Sequence, residues 1–197
     1  MVKVTIADVV KRESLGEQPG HPRVHYIIML LDEAGRRVLP IWVGPWEGEA
    51  LAIGLRGLSA ARPMTFEFMS KLLDAAGVTI DEVRVESLQG DTFYAIVKLR
   101  RGGVVQEIDA RPSDALALAV RMGSPIFAAE EVLSRAGEDI PAELSSTAAG
   151  KGIDGIIGGL GWSKQAAQPC CQPTPEEMEG YHKTHQELVA FVFGGEA

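Results

Sequence analysis

The sequence predicts an α+β fold, a mixed, mainly antiparallel sheet of hairpins packed with three or four helices. Three observations predict it. Alternating and β-branched runs come in neighbouring groups joined by short turns, not singly between helices; that grouping favours hairpins over a doubly wound parallel sheet. Helix-period stretches fall between those groups, two of them just after an Arg-Pro pair, where proline's fixed φ and missing N–H suit a first helical turn. Finally, 197 residues with 46% hydrophobic and 23% charged side chains suffice for one domain with a real core plus an extension.

Taken in order, residues 2–10 alternate Val2, Val4 and Ile6 with polar partners, the pattern of a half-buried strand. Glycine and proline make 16–22 a loop. Residues 24–31 and 37–43 flank a turn at 33–36 and read as a hairpin, with Pro40 placing the second strand at an edge or a bulge. Gly44-Pro45 stops that strand, and 46–58 follow as a mostly buried helix with Glu47 and Glu49 in its first turn. A second helix runs from about Thr65 to Ala76 and closes on Gly77 as C′ residue; Phe68, Met69, Leu72 and Leu73 form its expected core stripe. Residues 78–88, 93–99 and 104–108 form a three-stranded meander with turns at 89–92 and 101–103. A helix to about Met122, an extended piece at 125–128 and a helical turn at 130–133 complete a domain spanning 1–133.

Composition then changes. Residues 134–173 are Gly/Ala/Pro-rich, the chemistry of a linker. Residues 174–193 read as an amphipathic helix, with Met178, Tyr181, Leu188, Phe191 and Val192 on one face, which needs its own domain or a sister subunit to lie against. Cys170 and Cys171 are adjacent and form no CxxC spacing; with His182 and His185 behind them they read as an exposed tail segment, not a metal tract.

The net charge of −8 divides into −3 over residues 1–133 and −5 over the remainder. A non-specific nucleic-acid binder would carry a basic face, so nucleic acid would be held locally, by a few arginines around a bound metal. No apolar run approaches the roughly 20 residues of a membrane span, and the first residues read as a strand, not a signal peptide. The expectation is a cytoplasmic protein with no membrane partner.

Chemistry concentrates at Asp109-Ala110-Arg111-Pro112-Ser113-Asp114, where a strand hands over to a helix. Ser113 as cap and Asp114 at the positive end of the helix dipole explain it as a well-capped start. Arg62-Pro63-Met64-Thr65-Phe66-Glu67 repeats the grammar: Arg-Pro, a hydroxyl cap, an acid in the first turn. Two such starts converging would make one patch for an anion or a metal. The candidate catalytic and metal-holding acids are Glu47, Glu67, Asp109 and Asp114; Arg62, Arg111, Thr65 and Ser113 are the candidate substrate-binding residues. Carboxylates from separate elements suit Mg²⁺ or Mn²⁺, which would activate water and steady a pentavalent phosphate. No histidine joins the set, so a Ser–His pair has no support and Ser113 is better explained as a cap. The competing reading is structural, with Arg62 and Arg111 pairing those acids and locking two helices together.

Pro40-Ile41-Trp42-Val43-Gly44-Pro45-Trp46-Glu47, Arg62-Pro63-Met64-Thr65, Phe93-Tyr94-Ala95 and the run from Asp109 to Ala119 together resemble the successive motifs of the bifunctional nuclease domain family, over roughly residues 2–133. The resemblance implies activity on both DNA and RNA, self-association, and a role for the matching positions Glu47, Arg62, Thr65, Glu67, Asp109, Arg111, Ser113 and Asp114. The chain departs from the family pattern where a histidine and an aspartate usually follow Arg-Pro-x-Thr: Phe66 and Glu67 stand there. A histidine base is thereby lost and a carboxylate kept. Two functions remain open on the sequence: a metal-dependent nuclease cleaving phosphodiester bonds of DNA or RNA, and a non-catalytic oligomeric binding or regulatory module whose Arg-Pro helix starts hold an anion or a partner. Convergence of the four acids to within about 5 Å of one point favours the first; their consumption by Arg62 or Arg111 in a buried setting favours the second.

Overall fold

The structure is a computed structural model that describes residues 1–14, 23–34 and 36–140. The expected loop at 16–22, the greater part of the expected linker, the expected C-terminal helix and Cys170-Cys171 lie outside the described residues. The first strand, β1 (Val2–Ser14), pairs antiparallel with β2 (Arg23–Asp32), and a register shift between Ile6 and Asp8 marks a bulge. β2 is buried at every position from Tyr26 to Leu30, so both of its faces are covered. β3 (Arg37–Val43) completes the expected hairpin, with Pro40 opposite Met29. Among the described residues the far side of β3 is paired only at Arg37 and Val38, which leaves Pro40 at an edge position that tolerates its missing donor.

α1 (Pro45–Leu55) starts on a proline at its first turn and ends at Arg56. It lies close on β2: a Cβ at Gly48 would overlap the Tyr26 side chain, and only glycine permits that approach. α2 (Thr65–Ala75) ends as expected, with Gly77 in the left-handed region. Its stripe does not behave as expected. Phe66 and Leu73 pack against the core, while Phe68, Met69 and Leu72 are exposed. Among the described residues α2 packs chiefly against one neighbouring helix, so its apolar stripe is covered only in part.

The meander is β4 (Thr79–Gln89), β5 (Thr92–Arg101) and β6 (Val104–Ala110), antiparallel throughout. Gly102 and Gly103, with φ of 53° and 86°, form the two-residue turn between β5 and β6 that only a left-handed pair allows. α3 (Pro112–Met122) buries Ser113 and the run from Ala115 to Ala119. β7 (Ile126–Ala128) is three residues long and joins the two halves of the sheet, parallel to β4 on one side and antiparallel to β1 on the other. α4 (Glu130–Ala136) and the two-residue β8 (Glu138–Asp139) carry the fold past the expected boundary at residue 133. The resulting eight-stranded sheet runs β6-β5-β4-β7-β1-β2-β3-β8, the α+β architecture the sequence predicts. Its core face, with Ile28, Leu30, Leu39, Val83, Val85 and Ala95, packs against Leu51, Leu116 and Leu133 of the helices. Among the described residues no helix is long and apolar enough to cross a membrane.

Candidate active site

Three helices begin at the same place. The first turns of α1, α2 and α3 line one cleft of about 330 Å³, and Arg121 from the last turn of α3 lines it too. That volume sits at the low end of the range for ligand pockets. The two Arg-Pro helix starts therefore do meet, joined by a third from α1. None of the three has a side-chain cap: the N-cap residues are Gly44, Met64 and Arg111. This corrects the expected hydroxyl caps. Pro112 occupies the first helical position, which makes Arg111 the extended residue before it and puts Ser113 inside the first turn. Thr65 likewise opens α2 as a helical residue, behind Met64. First-turn N–H groups without side-chain caps, at the positive ends of three helix dipoles, are suited to an anion.

Arg111 organises the cleft. Its Nε donates to Asp114 Oδ2 at 2.7 Å and its Nη2 to Asp114 Oδ1 at 3.1 Å, while Nη1 reaches across to Glu47 Oε1 at 3.0 Å. Hydrogen bonding to Asp114, then its charge and the bond to Glu47, hold the guanidinium above its ordinary pKa, so it is a fixed cation. Three of its five N–H donors are engaged in these bonds, and the side chain is 65% exposed. The other two donors have no partner among the described residues. Glu47 binds Arg111 through one oxygen only; the other, Oε2, lies over Gly44, where a Cβ would crowd it. Glu67, on the opposite wall, pairs with Lys71 one turn on, at 2.9 Å.

The other expected residues fall elsewhere. Asp109 is exposed in β6 opposite Ile96, one residue before Ala110, which packs on the core. Successive strand residues point to opposite faces, so Asp109 projects to the outer face, beside the ladder in which Arg84 pairs with Glu82, Glu86 and Glu107. Ser113 is buried on the core side of α3. Arg62 is exposed in the connection between α1 and α2 and does not line the cleft. The cleft thus gathers Glu47, Glu67, Asp114, Arg111 and Thr65, and leaves Asp109, Ser113 and Arg62 outside.

Among the described residues no three His, Cys, Asp or Glu side chains form a group able to hold a metal ion, so the four-acid cage does not form. Glu47 and Asp114 offer the hard oxygen donors Mg²⁺ takes, and Mg²⁺ is commonly bound by one or two carboxylates, with water and phosphate supplying the rest. The pair fits such an ion in kind; Arg111 is its present partner.

Two residues of the cleft were not singled out from the sequence. Trp46, expected on a buried helix face, is 80% exposed at the rim. Arg121 follows Asp114 by seven residues, two helical turns, and so shares its face of α3. That spacing was the available signal.

Comparison with known proteins gives a consistent result. Residues 28–141 match the bifunctional nuclease domain. The uncharacterized protein Rv1829 of Mycobacterium tuberculosis is 37% identical over 134 residues, 68% of this chain and 80% of the relative. Bifunctional nuclease 1 of Arabidopsis thaliana is 27% identical over 114 residues, 56% of this chain and 35% of the plant protein. Bifunctional nuclease 2 of Oryza sativa is 28% identical over 103 residues, 51% and 32% respectively. The match to the plant proteins therefore spans about a third of their length.

Proposed function

The chain belongs to the bifunctional nuclease domain family, and on that premise we propose that it hydrolyses phosphodiester bonds of DNA or RNA in the cleft where α1, α2 and α3 begin. The observation that carries the proposal is Arg111: a solvent-open guanidinium with two spare donors, set among three helix starts that have no side-chain caps. A phosphate seated there would meet Arg111 and first-turn N–H groups, which offset the charge that grows on the phosphoryl oxygens. Water adds to phosphorus in line as the P–O ester bond breaks. Its proton passes to Glu47 Oε2, the carboxylate oxygen not used by Arg111, and the departing oxygen takes a proton from solvent. Asp114 grips Arg111 through both oxygens and is a positioning residue. Mg²⁺ or Mn²⁺ is the finer part of the proposal: Glu47 and Asp114 would hold it, and it would add positive charge against the phosphoryl oxygens. Self-association is the other finer part, supported by the exposed Phe68, Met69 and Leu72 on α2.

The second reading, a non-catalytic module, draws on the same ion pairs, because Arg111 also ties α1 to α3. One experiment separates them. Purified full-length protein is given DNA and RNA oligonucleotides with Mg²⁺, Mn²⁺ or chelator, beside Glu47→Gln and Asp114→Asn. The nuclease reading expects wild-type cleavage, slowed about 100-fold by Glu47→Gln and less by Asp114→Asn. Equal cleavage by all three proteins identifies a contaminant and leaves the non-catalytic module. Cleavage undiminished by chelator removes the metal from the proposal and keeps the Arg111–Glu47 chemistry.

A further inference from the structure

We infer that the cleft takes an unpaired nucleotide strand, with Trp46 as the platform on which a base stacks and Arg121 as a second phosphate contact; this rests on the nuclease reading of the same cleft. Trp46 is 80% exposed, more than any other large hydrophobic side chain described, and it stands at the rim next to Glu47, beside the phosphate position at Arg111. A nucleotide whose phosphate sits on Arg111 brings its base to that ring. Only an unpaired base has a face to offer, because in a duplex each base is already stacked within the helix.

The dimensions agree. About 330 Å³ holds a nucleotide and not a duplex. Arg121 lies ten residues beyond Arg111, which caps α3, so the two backbone positions are roughly 15 Å apart along the axis at a helical rise of about 1.5 Å per residue, and both side chains line the cleft. Arg121 is built into its place. Its Nη1 donates to the Leu58 carbonyl at 3.2 Å, and its Nε is buried with no hydrogen-bond partner among the described residues. Its guanidinium packs beside Gly54 of α1, where an added Cβ would lie in ordinary contact, 3.4 Å from Nε. A net charge of −8 disfavours non-specific binding of a duplex, whereas two arginines and an aromatic in one cleft suit a short stretch of single strand.

The test measures binding by fluorescence anisotropy at several salt concentrations, using a phosphorothioate single strand and a hairpin of the same composition, with cleavage of the phosphodiester forms followed in parallel. Wild type is expected to bind the single strand about tenfold more tightly than the hairpin. Trp46→Ala should abolish that preference and Trp46→Phe retain most of it. Trp42→Ala, which removes another exposed tryptophan that lies outside the cleft, should leave it whole. Arg121→Gln should flatten the dependence of log affinity on log salt by about 0.7, the contribution of one phosphate on a single strand. Equal binding of both forms by wild type, or a preference as strong in Trp46→Ala as in Trp42→Ala, overturns the inference. A wild type that prefers single strands and cleaves neither form supports single-strand binding in the cleft and removes the nuclease reading. One that cleaves both and prefers neither does the reverse.

Discussion

Arg37 and Arg111 are each held between two carboxylates, and the surroundings give them opposite uses. Arg37 joins Asp32 at 3.2 Å and Glu130 at 2.7 Å, linking the β2–β3 turn to α4. Asp32 is 3% exposed and also accepts the backbone N–H groups of Arg36 and Arg37. Arg37 itself is only 23% exposed, while Glu130 is 58% exposed, so it is the Asp32 end of this cluster that is withdrawn from water. Arg111 makes the same kind of bridge between Glu47 and Asp114 but is 65% exposed, at the mouth of a cleft. Ion pairs open to water contribute roughly 0–1 kcal/mol, so the Arg111 bridge does little for stability. Its value, on the proposed function, lies in the two donors that have no partner among the described residues, on a side chain that lines the cleft. A count of salt bridges would rank the clusters alike; burial of one carboxylate and the openness of one guanidinium tell them apart.

The largest effect on the fastening side should come from Asp32→Ala. It leaves two backbone N–H groups and a guanidinium without their shared acceptor, at a cost of about 3 kcal/mol. Urea unfolding measures it, and cleavage by the variant below its unfolding transition should match wild type. A loss under about 0.5 kcal/mol would erase the distinction between the clusters.

A smaller effect follows from pH. Burial opposes ionisation of Asp32, but hydrogen bonds from the Arg36 and Arg37 backbone and from the Arg37 side chain outweigh it and hold the carboxyl below its ordinary range. A depressed carboxyl contributes stability that is whole above the unfolded value, about pH 4, and is lost as pH falls through the lower folded value. The gap in unfolding free energy between wild type and Asp32→Ala should therefore be widest near neutrality and narrow on acidification below about pH 4. A gap that widens with acid would reverse the assignment.

Much of this was legible in the sequence, for identifiable reasons. Alternation in β1 and the paired runs of β2–β3 and β4–β6 fix strands because a half-buried strand must alternate and a hairpin needs only a short turn. The Arg-Pro pairs mark two helix starts, and their meeting is the part of the site the sequence pointed to. Other features depend on context that periodicity does not carry. β7 is a three-residue stretch whose sequence says nothing of its two partners. Proximity in the sequence groups Asp109 with Asp114, yet the alternation of a strand sends it to the opposite face from Ala110. Apolar spacing assigns Trp46 and the α2 stripe to the core, because it marks a face without saying whether anything covers it.

The account rests on Arg111 being a phosphate-binding group and Arg37 a fastener, and exchanging each for lysine tests both in one measurement. Lysine keeps the charge and loses the planar fork that grips two carboxylates at once. Cleavage of a single-stranded oligonucleotide and urea unfolding are measured on Arg111→Lys and Arg37→Lys side by side. The predicted result is a crossover. Arg111→Lys slows cleavage by about 100-fold or more with unfolding free energy within about 0.5 kcal/mol of wild type. Arg37→Lys loses more than about 1 kcal/mol of stability and cleaves at the wild-type rate. Wild-type cleavage by Arg111→Lys, prepared in parallel, would contradict the account.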